Sequence, residues 1–145
     1  MIEYFIETKP HLGGVSVKVK DNDKLIGLAD AYEQSVPMMV VGHSYHCADD
    51  LIDISYEYPQ VMDNDNMRIL IVNSVQLLGK YHRQGIGKLM YQHLIKGYQK
   101  KIRKPFVMIP DKCADTGATS DMAIRVWKSL KRQYPSSGYC LVIDL

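Results

Sequence analysis

The sequence predicts an α/β (α+β) domain, a mixed and mostly antiparallel central sheet with helices packed on it. Three observations carry this. Short runs with period-two alternation dominate the first half of the chain. Two segments with helical spacing occupy the second half, each followed by a short apolar run. A Gly-x-Gly turn, Gly85-Ile86-Gly87, lies between a strand-like run and the longer helical segment. The length of 145 residues suits one domain spanning 1–145, since domains cluster at roughly 100–150 residues.

The elements follow in order. Ile2 to Glu7 alternates weakly and reads as a strand. Gly13-Gly14 interrupts it. Val15 to Val19 alternates as a half-buried strand, Asp21-Asn22-Asp23 is a turn cluster, and Leu25 to Tyr32 is the return strand of a hairpin. Pro37 to Val41 is a short apolar run of undecided type, and His43 to Asp50 is loop-like. Leu51 to Tyr58 alternates, with Ile52, Ile54, Tyr56 and Tyr58 on one face, and is expected to be a strand ended by Pro59. Asp63 to Asn66 is a turn. Arg68 to Leu78, rich in Ile, Val and Leu, is the most strand-like stretch. After the glycine turn, Ile86, Met90, Tyr91, Leu94, Ile95, Tyr98 and Ile102 keep helical spacing. Lys100, Lys101, Arg103 and Lys104 stand where a helix C-terminus favours cations, and Pro105 stops the helix. Phe106 to Ile109 is a buried-type strand and Asp111 to Thr119 a loop. Ser120 is the expected N-cap of a helix that turns Ala123, Val126, Trp127 and Leu130 inward. Pro135 to Gly138 is a turn before a last strand from Tyr139.

Composition excludes some classes. Apolar residues make up 46% and charged residues 23%, as in a soluble globular protein. No apolar run approaches the ~18–20 residues of a membrane span, and no signal peptide is evident. The cysteines, Cys47, Cys113 and Cys140, are few and form no CxxC pair, so reduced thiols in a cytoplasmic protein are expected. Charge is segregated. From Leu25 to Met67 there are eight acids and no Lys or Arg, whereas from Asn66 to Pro110 there are nine bases and no acid. Such a split suggests two surfaces with opposite partners, or two solvated faces that neutralise each other.

The glycine turn has its own chemistry. Missing Cβ atoms let backbone approach an anion, and a helix N-terminus offers unpaired N–H groups and partial positive charge. A phosphate or pyrophosphate is the natural ligand of Gln84, Gly85, Ile86, Gly87 and Lys88, with Arg83 and Lys88 adding direct charge. A Walker loop is absent, and a dinucleotide GxGxxG fails because Met90 stands where the third glycine belongs.

Ser74 to Leu89, SVQLLGKYHRQGIGKL, resembles the acetyl-CoA motif of the GNAT superfamily of N-acetyltransferases. That pattern is Arg or Gln, two residues, Gly, one residue, then Gly or Ala, after a hydrophobic strand. Gly85 and Gly87 match it; His82 stands where Arg or Gln is usual, beside Arg83. The later elements also follow the family's order, so the likeness covers about half the chain, from Arg68 on. The first half is compatible with the family's early strands but lacks room for its paired helices after the first strand.

The resemblance implies acetyl-CoA as cosubstrate, no metal, and direct attack of a primary amine on the acyl carbon. It implies that the sheet opens after the strand bearing Val75 to Leu78. Backbone groups of Leu77 and Leu78 would hold the pantetheine arm, and one N–H would polarise the thioester carbonyl. His82 to Lys88, Ser120 and Trp127 are the remaining expected cofactor contacts. Trp127 stands where the family often has the tyrosine that protonates the thiolate, and an indole is too weak an acid, so it packs on cofactor or core. Tyr134 is the substitute acid, with Tyr139 as a second. Glu57 is the expected base, directly or through a water. Asp49, Asp50 and Asp53 are expected to draw in a cationic amine, on a small molecule or a protein lysine. His43-x-x-His46-Cys47 has metal-like spacing but no second ligand pair. A homodimer is compatible with this reading, a membrane partner is not expected, and a non-catalytic acyl-CoA-binding module and a nucleic-acid binder are the alternatives.

Overall fold

A computed structural model describes residues 1–9, 13–45, 47–111 and 121–144, without the side chains of 42–44. The chain opens as an antiparallel meander. Strand β1, Ile2–Thr8, pairs with β2, Val15–Asp21, which pairs with β3, Lys24–Pro37. The two-residue turn between β2 and β3 holds Asn22 at φ 50° and Asp23 at φ 71°. Both central residues are left-handed, as in the hairpin turn whose twist matches the flanking strands, and Asn and Asp tolerate that region better than most.

The next segment corrects the sequence reading. Helix α1 is Met38–Ser44 and helix α2 is Ala48–Glu57, so Leu51 to Tyr58 is helical rather than a strand. Leu51 and Ile54 are buried, while Ile52 and Tyr56 are exposed. Apolar residues at 51, 52 and 54 satisfy either period. The helix prevails because it seats Leu51 and Ile54 together against Val61, Met67 and Ile69. Asp49 and Asp50 in its first turn also suit the positive end of the helix dipole.

Strand β4, Met62–Asp63, turns into β5, Asn66–Leu77. Helix α3, Ile86–Ile102, leads to β6, Phe106–Pro110, and helix α4, Asp121–Leu130, leads to β7, Ser136–Ser137, and β8, Cys140–Ile143. The sheet runs β1-β2-β3-β5-β6-β8-β7, with β4 beside β5. Among the described strands, only β5 and β6 pair in parallel, joined by the crossover through α3. Two cores result. Leu70, Val72, Phe106 and Met108 pack under α3 and α4. Ile69, Ile71, Val107 and Ile109 pack under α1 and α2 on the opposite face. The helix pair therefore exists, but it follows the third strand instead of the first. Among the described residues, no helix is long and apolar enough to cross a membrane.

Two details of β5 position the site. Its pairing with β6 ends at Val72 and Pro110, and Asp111 N–H donates to Val72 O at 3.0 Å as the last rung. Beyond it the sheet opens, in that no described strand pairs with this edge of β5. At the same place Asn73 is an extra residue in the pairing with β3, since Ala31 faces Val72 but Asp30 faces Ser74. This bulge reverses the alternation. Before it Leu70 and Val72 face the α3 side; after it Val75 and Leu77 do.

Candidate functional site

The turn after β5 is built from its own hydrogen bonds. Leu78 N–H donates to Ile26 O at 3.0 Å, and Tyr81 N–H donates to Leu78 O at 2.9 Å. His82 Nε2 lies 2.8 Å from Leu77 O. A carbonyl only accepts, so Nε2 carries the proton there. Gln84 Nε2 donates to Lys80 O at 3.0 Å. The chain then passes through Arg83 at φ 64° and Gly85 at φ 81°. Gly85 is the N-cap of α3, without a side-chain cap and with no acid in the first turn. The first intrahelical bond is Leu89 N–H to Gly85 O, 3.2 Å. The N–H groups of Ile86, Gly87 and Lys88 precede it and have no intrahelical partner.

This end of α3 borders a groove of about 230 Å³. One wall is Leu77, His82, Arg83, Gly85, Gly87 and Lys88. The other is Met122, Arg125, Val126 and Ser129 of α4. A Cβ at Gly85 would meet nothing within 4 Å, so the backbone lies open to the groove. A Cβ at Gly87 would sit 3.5 Å from Met122 Sδ and Val126 Cγ2, which shows how closely α4 approaches the turn. Among the described residues, Arg83, Lys88 and Arg125 make no ion pair. Three cations and three open amides around one groove can receive a pyrophosphate. A larger groove of about 540 Å³ between β1 and α3, with Ile6, His93 and Lys96 in its lining, has no such amides.

The opening beside β5 has a defined polarity. Since Leu78 N–H bonds to β3 and backbone direction alternates, Val75 and Leu77 direct theirs into the opening. This corrects the expectation for Leu78: both its N–H and its carbonyl are occupied within the protein. Leu77 keeps its N–H for the opening while its carbonyl is held by His82.

Other sequence candidates are placed elsewhere. Trp127 is 1% exposed and lies edge-on to Tyr91, ring centroids 5.6 Å apart. It packs in the core and does not line the groove. Burial pushes the Tyr91 phenol up to about 12, with the Trp127 side chain opposing the shift. Tyr134 packs half-buried against the same core, outside the groove lining, and burial raises its phenol above the ordinary value. Glu57 ends α2 beside Pro59–Val61. That segment is tied to the start of β6 through Gln60 O, Arg68 and Pro105 O, the end of the sheet remote from the opening. As a base for chemistry at the opening Glu57 is misplaced, because the strand reading that put it there is replaced by a helix. Asp49 and Asp50, at the other end of α2, stand on the opening's side, and Asp50 accepts from Ser137 Oγ at 2.8 Å. Asp53 is exposed one turn further along. Ser120 and His46 lie outside the described residues, as does the side chain of His43. Sequence reasoning brought this helix to the cofactor through Ser120 and Trp127 but missed the residues of α4 that line the groove. Their signal was present as the stripe Met122, Arg125, Val126, Ser129 at helical spacing.

No protein-family model matches the chain, and no curated protein matches it in sequence. Solved structures match in fold. AtaT complexed with acetyl-methionyl-tRNAfMet has a TM-score of 0.55, over 99% of this chain and 94% of its own, at 8% identity. Arabidopsis thaliana NAA60 in complex with a bisubstrate analogue has a TM-score of 0.51, over 91% of this chain and 76% of its own, at 16% identity. An aminoglycoside acetyltransferase, meta-AAC0020 from an uncultured soil metagenomic sample, has a TM-score of 0.49 at 13% identity, and this chain spans 60% of its length. The mixed sheet, the parallel β5–β6 pair and the first two of these likenesses agree: the chain has a GNAT-like fold.

Proposed function

We propose that this protein is an N-acetyltransferase that moves an acetyl group from acetyl-CoA to a primary amine. The observation that carries the reading is the groove between the turn and α4, where Arg83, Lys88 and Arg125 surround the open backbone of Gly85. Acetyl-CoA would supply an activated thioester. The amides of Ile86, Gly87 and Lys88 would hold its pyrophosphate, and the N–H groups of Val75 and Leu77 would hold the arm that enters the opening. In the reaction the amine nitrogen bonds to the acyl carbon, the C–S bond breaks, the thiolate takes a proton and the amine releases one.

Thermal denaturation with and without acetyl-CoA tests the binding half. A native-state ligand at 100 times its Kd stabilises by about 2.7 kcal/mol. Arg125→Ala is expected to weaken acetyl-CoA binding by about tenfold at low salt and less at high salt, as charge-assisted contacts do. No shift in the wild type would end the proposal. Thioester consumption with a panel of primary amines tests the chemical half. Trp127, buried where the family often carries an acid, favours a second reading: a module that binds acyl-CoA without turnover. Stabilisation by acetyl-CoA with no amine-dependent release of free thiol would support that reading.

A further inference from the structure

The face of the sheet away from α3 carries a polar pair at the mouth of the opening. Tyr32 lies on β3 opposite Ile71 of β5. Asp111 follows the last residue of β6 on the other side of β5, and its N–H closes the last rung with Val72. The two residues flank β5, and their side chains meet: Tyr32 Oη donates to Asp111 Oδ1 at 3.4 Å. Between them β5 runs from Ile71, opposite Tyr32, to the bulged Asn73, just past the last pair with β6. The pair therefore stands where the opening begins, on the face opposite the α3 and α4 wall.

The surroundings set the charge this place accepts. Among the described residues, no cation is ion-paired with Asp111, which is exposed. The stretch from Leu25 to Met67, which supplies β3, α1 and α2 to this face, contains no Lys or Arg. Tyr45, at the end of α1, bonds through its hydroxyl to Gln34 and lies near Tyr32. Burial, with Tyr32 and Cys47 adding to it, pushes the Tyr45 phenol up to about 12, so it remains a neutral donor. Asp30, the acid that β3 puts on this face, is engaged by Lys9 at 3.0 Å. Among the described residues, no base pairs with Asp111, or with Asp49 and Asp50 at the near end of α2, and of these three Asp111 is the one that Tyr32 holds beside β5.

We infer that Asp111 and Tyr32 form the acceptor subsite, in which the Asp111 carboxylate receives the substrate's primary ammonium group and Tyr32 holds that carboxylate over the bulge. The inference rests on the acetyltransferase reading and names what that reading leaves open, the residues that select a cationic acceptor. A hydrogen bond to one oxygen leaves the second free, and an ammonium with three donors suits a carboxylate in an acidic setting.

Calorimetric titration tests it with the acetyl-CoA-loaded protein at about 50 mM salt. The probes are spermidine, lysine ethyl ester and a lysine-containing tripeptide. At least one is expected to bind the wild type. Asp111→Asn is expected to weaken that binding by about tenfold or more, as loss of a charged hydrogen bond does. Tyr32→Phe should weaken it by about two- to tenfold, since it loosens the carboxylate without removing it. Both variants should keep the wild-type acetyl-CoA stabilisation, which also reports that they fold. Asp111→Asn binding within about twofold of wild type overturns the inference. So does failure of all three cations to bind a wild type that acetyl-CoA stabilises, and that result leaves the cosubstrate half of the function intact. A wild type that acetyl-CoA does not stabilise removes the function and this subsite with it.

Discussion

His82 donates its Nε2–H to the carbonyl of Leu77 across 2.8 Å, tying the turn before α3 to the last residue of β5. The bond has a directional consequence. It holds the Leu77 peptide carbonyl on the turn side, while Leu78 is drawn to β3 by its bond to Ile26. The imidazole thus does a structural job at a position where the family resemblance suggests a side chain for phosphate.

His82→Ala is therefore expected to cost stability as well as binding. Loss of one hydrogen bond predicts a decrease of about 0.5–1.5 kcal/mol in urea denaturation. Stabilisation by acetyl-CoA should fall without vanishing, because the amides of Ile86 to Lys88 remain. Unchanged stability together with abolished binding would mean that the ring serves the ligand alone.

Gly85 offers a sharper test of the groove. Its φ of 81° is strained for any L side chain, although a Cβ meets nothing within 4 Å. Gly85→Ala should lower stability by about 1–2 kcal/mol and leave measurable acetyl-CoA binding. Gly85→Glu adds a carboxylate where three cations and open amides face an anion, and should abolish the thermal shift. A retained shift in Gly85→Glu would place the pyrophosphate elsewhere.

Gly97 answers to packing instead. A Cβ there would lie 2.9 Å from Cγ2 of both Ile6 and Val15, so this glycine lets α3 sit close on β1 and β2. Alanine gains about 1 kcal/mol in helix propensity, but overpacking costs about 1–3 kcal/mol. Gly97→Ala is expected to be net destabilising in thermal melts. A more stable variant would show that Ile6, which is 43% exposed, yields freely.

The contact between Tyr81 Oη and Asp21 Oδ2, 2.7 Å, predicts a pH response. The Tyr81 hydroxyl, then the N-terminal ammonium, hold the Asp21 carboxyl below its ordinary value. The same bond raises the Tyr81 phenol. A depressed carboxyl contributes stability above its unfolded value, about 3.9, and loses it as pH falls through the lower folded value. A raised phenol contributes below its unfolded value, about 10, and loses it as pH rises through the higher folded value. Tyr81→Phe should therefore flatten both limbs of the stability profile and lower the plateau between them. An unchanged acid limb would show that the N-terminal ammonium alone holds Asp21.

How much was legible depended on how local the cause was. The strand–turn–helix unit of β5 and α3 was readable because three signals coincide within a short stretch: an apolar run, paired glycines and helical spacing. The hairpin was readable because Asn22 and Asp23 suit a left-handed turn. Helix α2 was not, because Leu51, Ile52 and Ile54 fit both periods and only the sheet beneath chooses between them. Glu57 moved with that helix, away from the opening.

By itself the sequence determined the glycine turn between β5 and α3, since glycine geometry and helix polarity act within a few residues of one another. It determined the segregation of acids and bases as well. Only the tertiary structure decided that Arg125 completes the groove, that Trp127 packs in the core and not on the groove, and that Leu78 is spoken for by Ile26. It alone brought Tyr32 to Asp111 across 79 positions of sequence, because a bulge at Asn73 and the end of β6 coincide on the sheet. Backbone turns are set by local sterics, whereas sites made by convergence depend on which strands become neighbours.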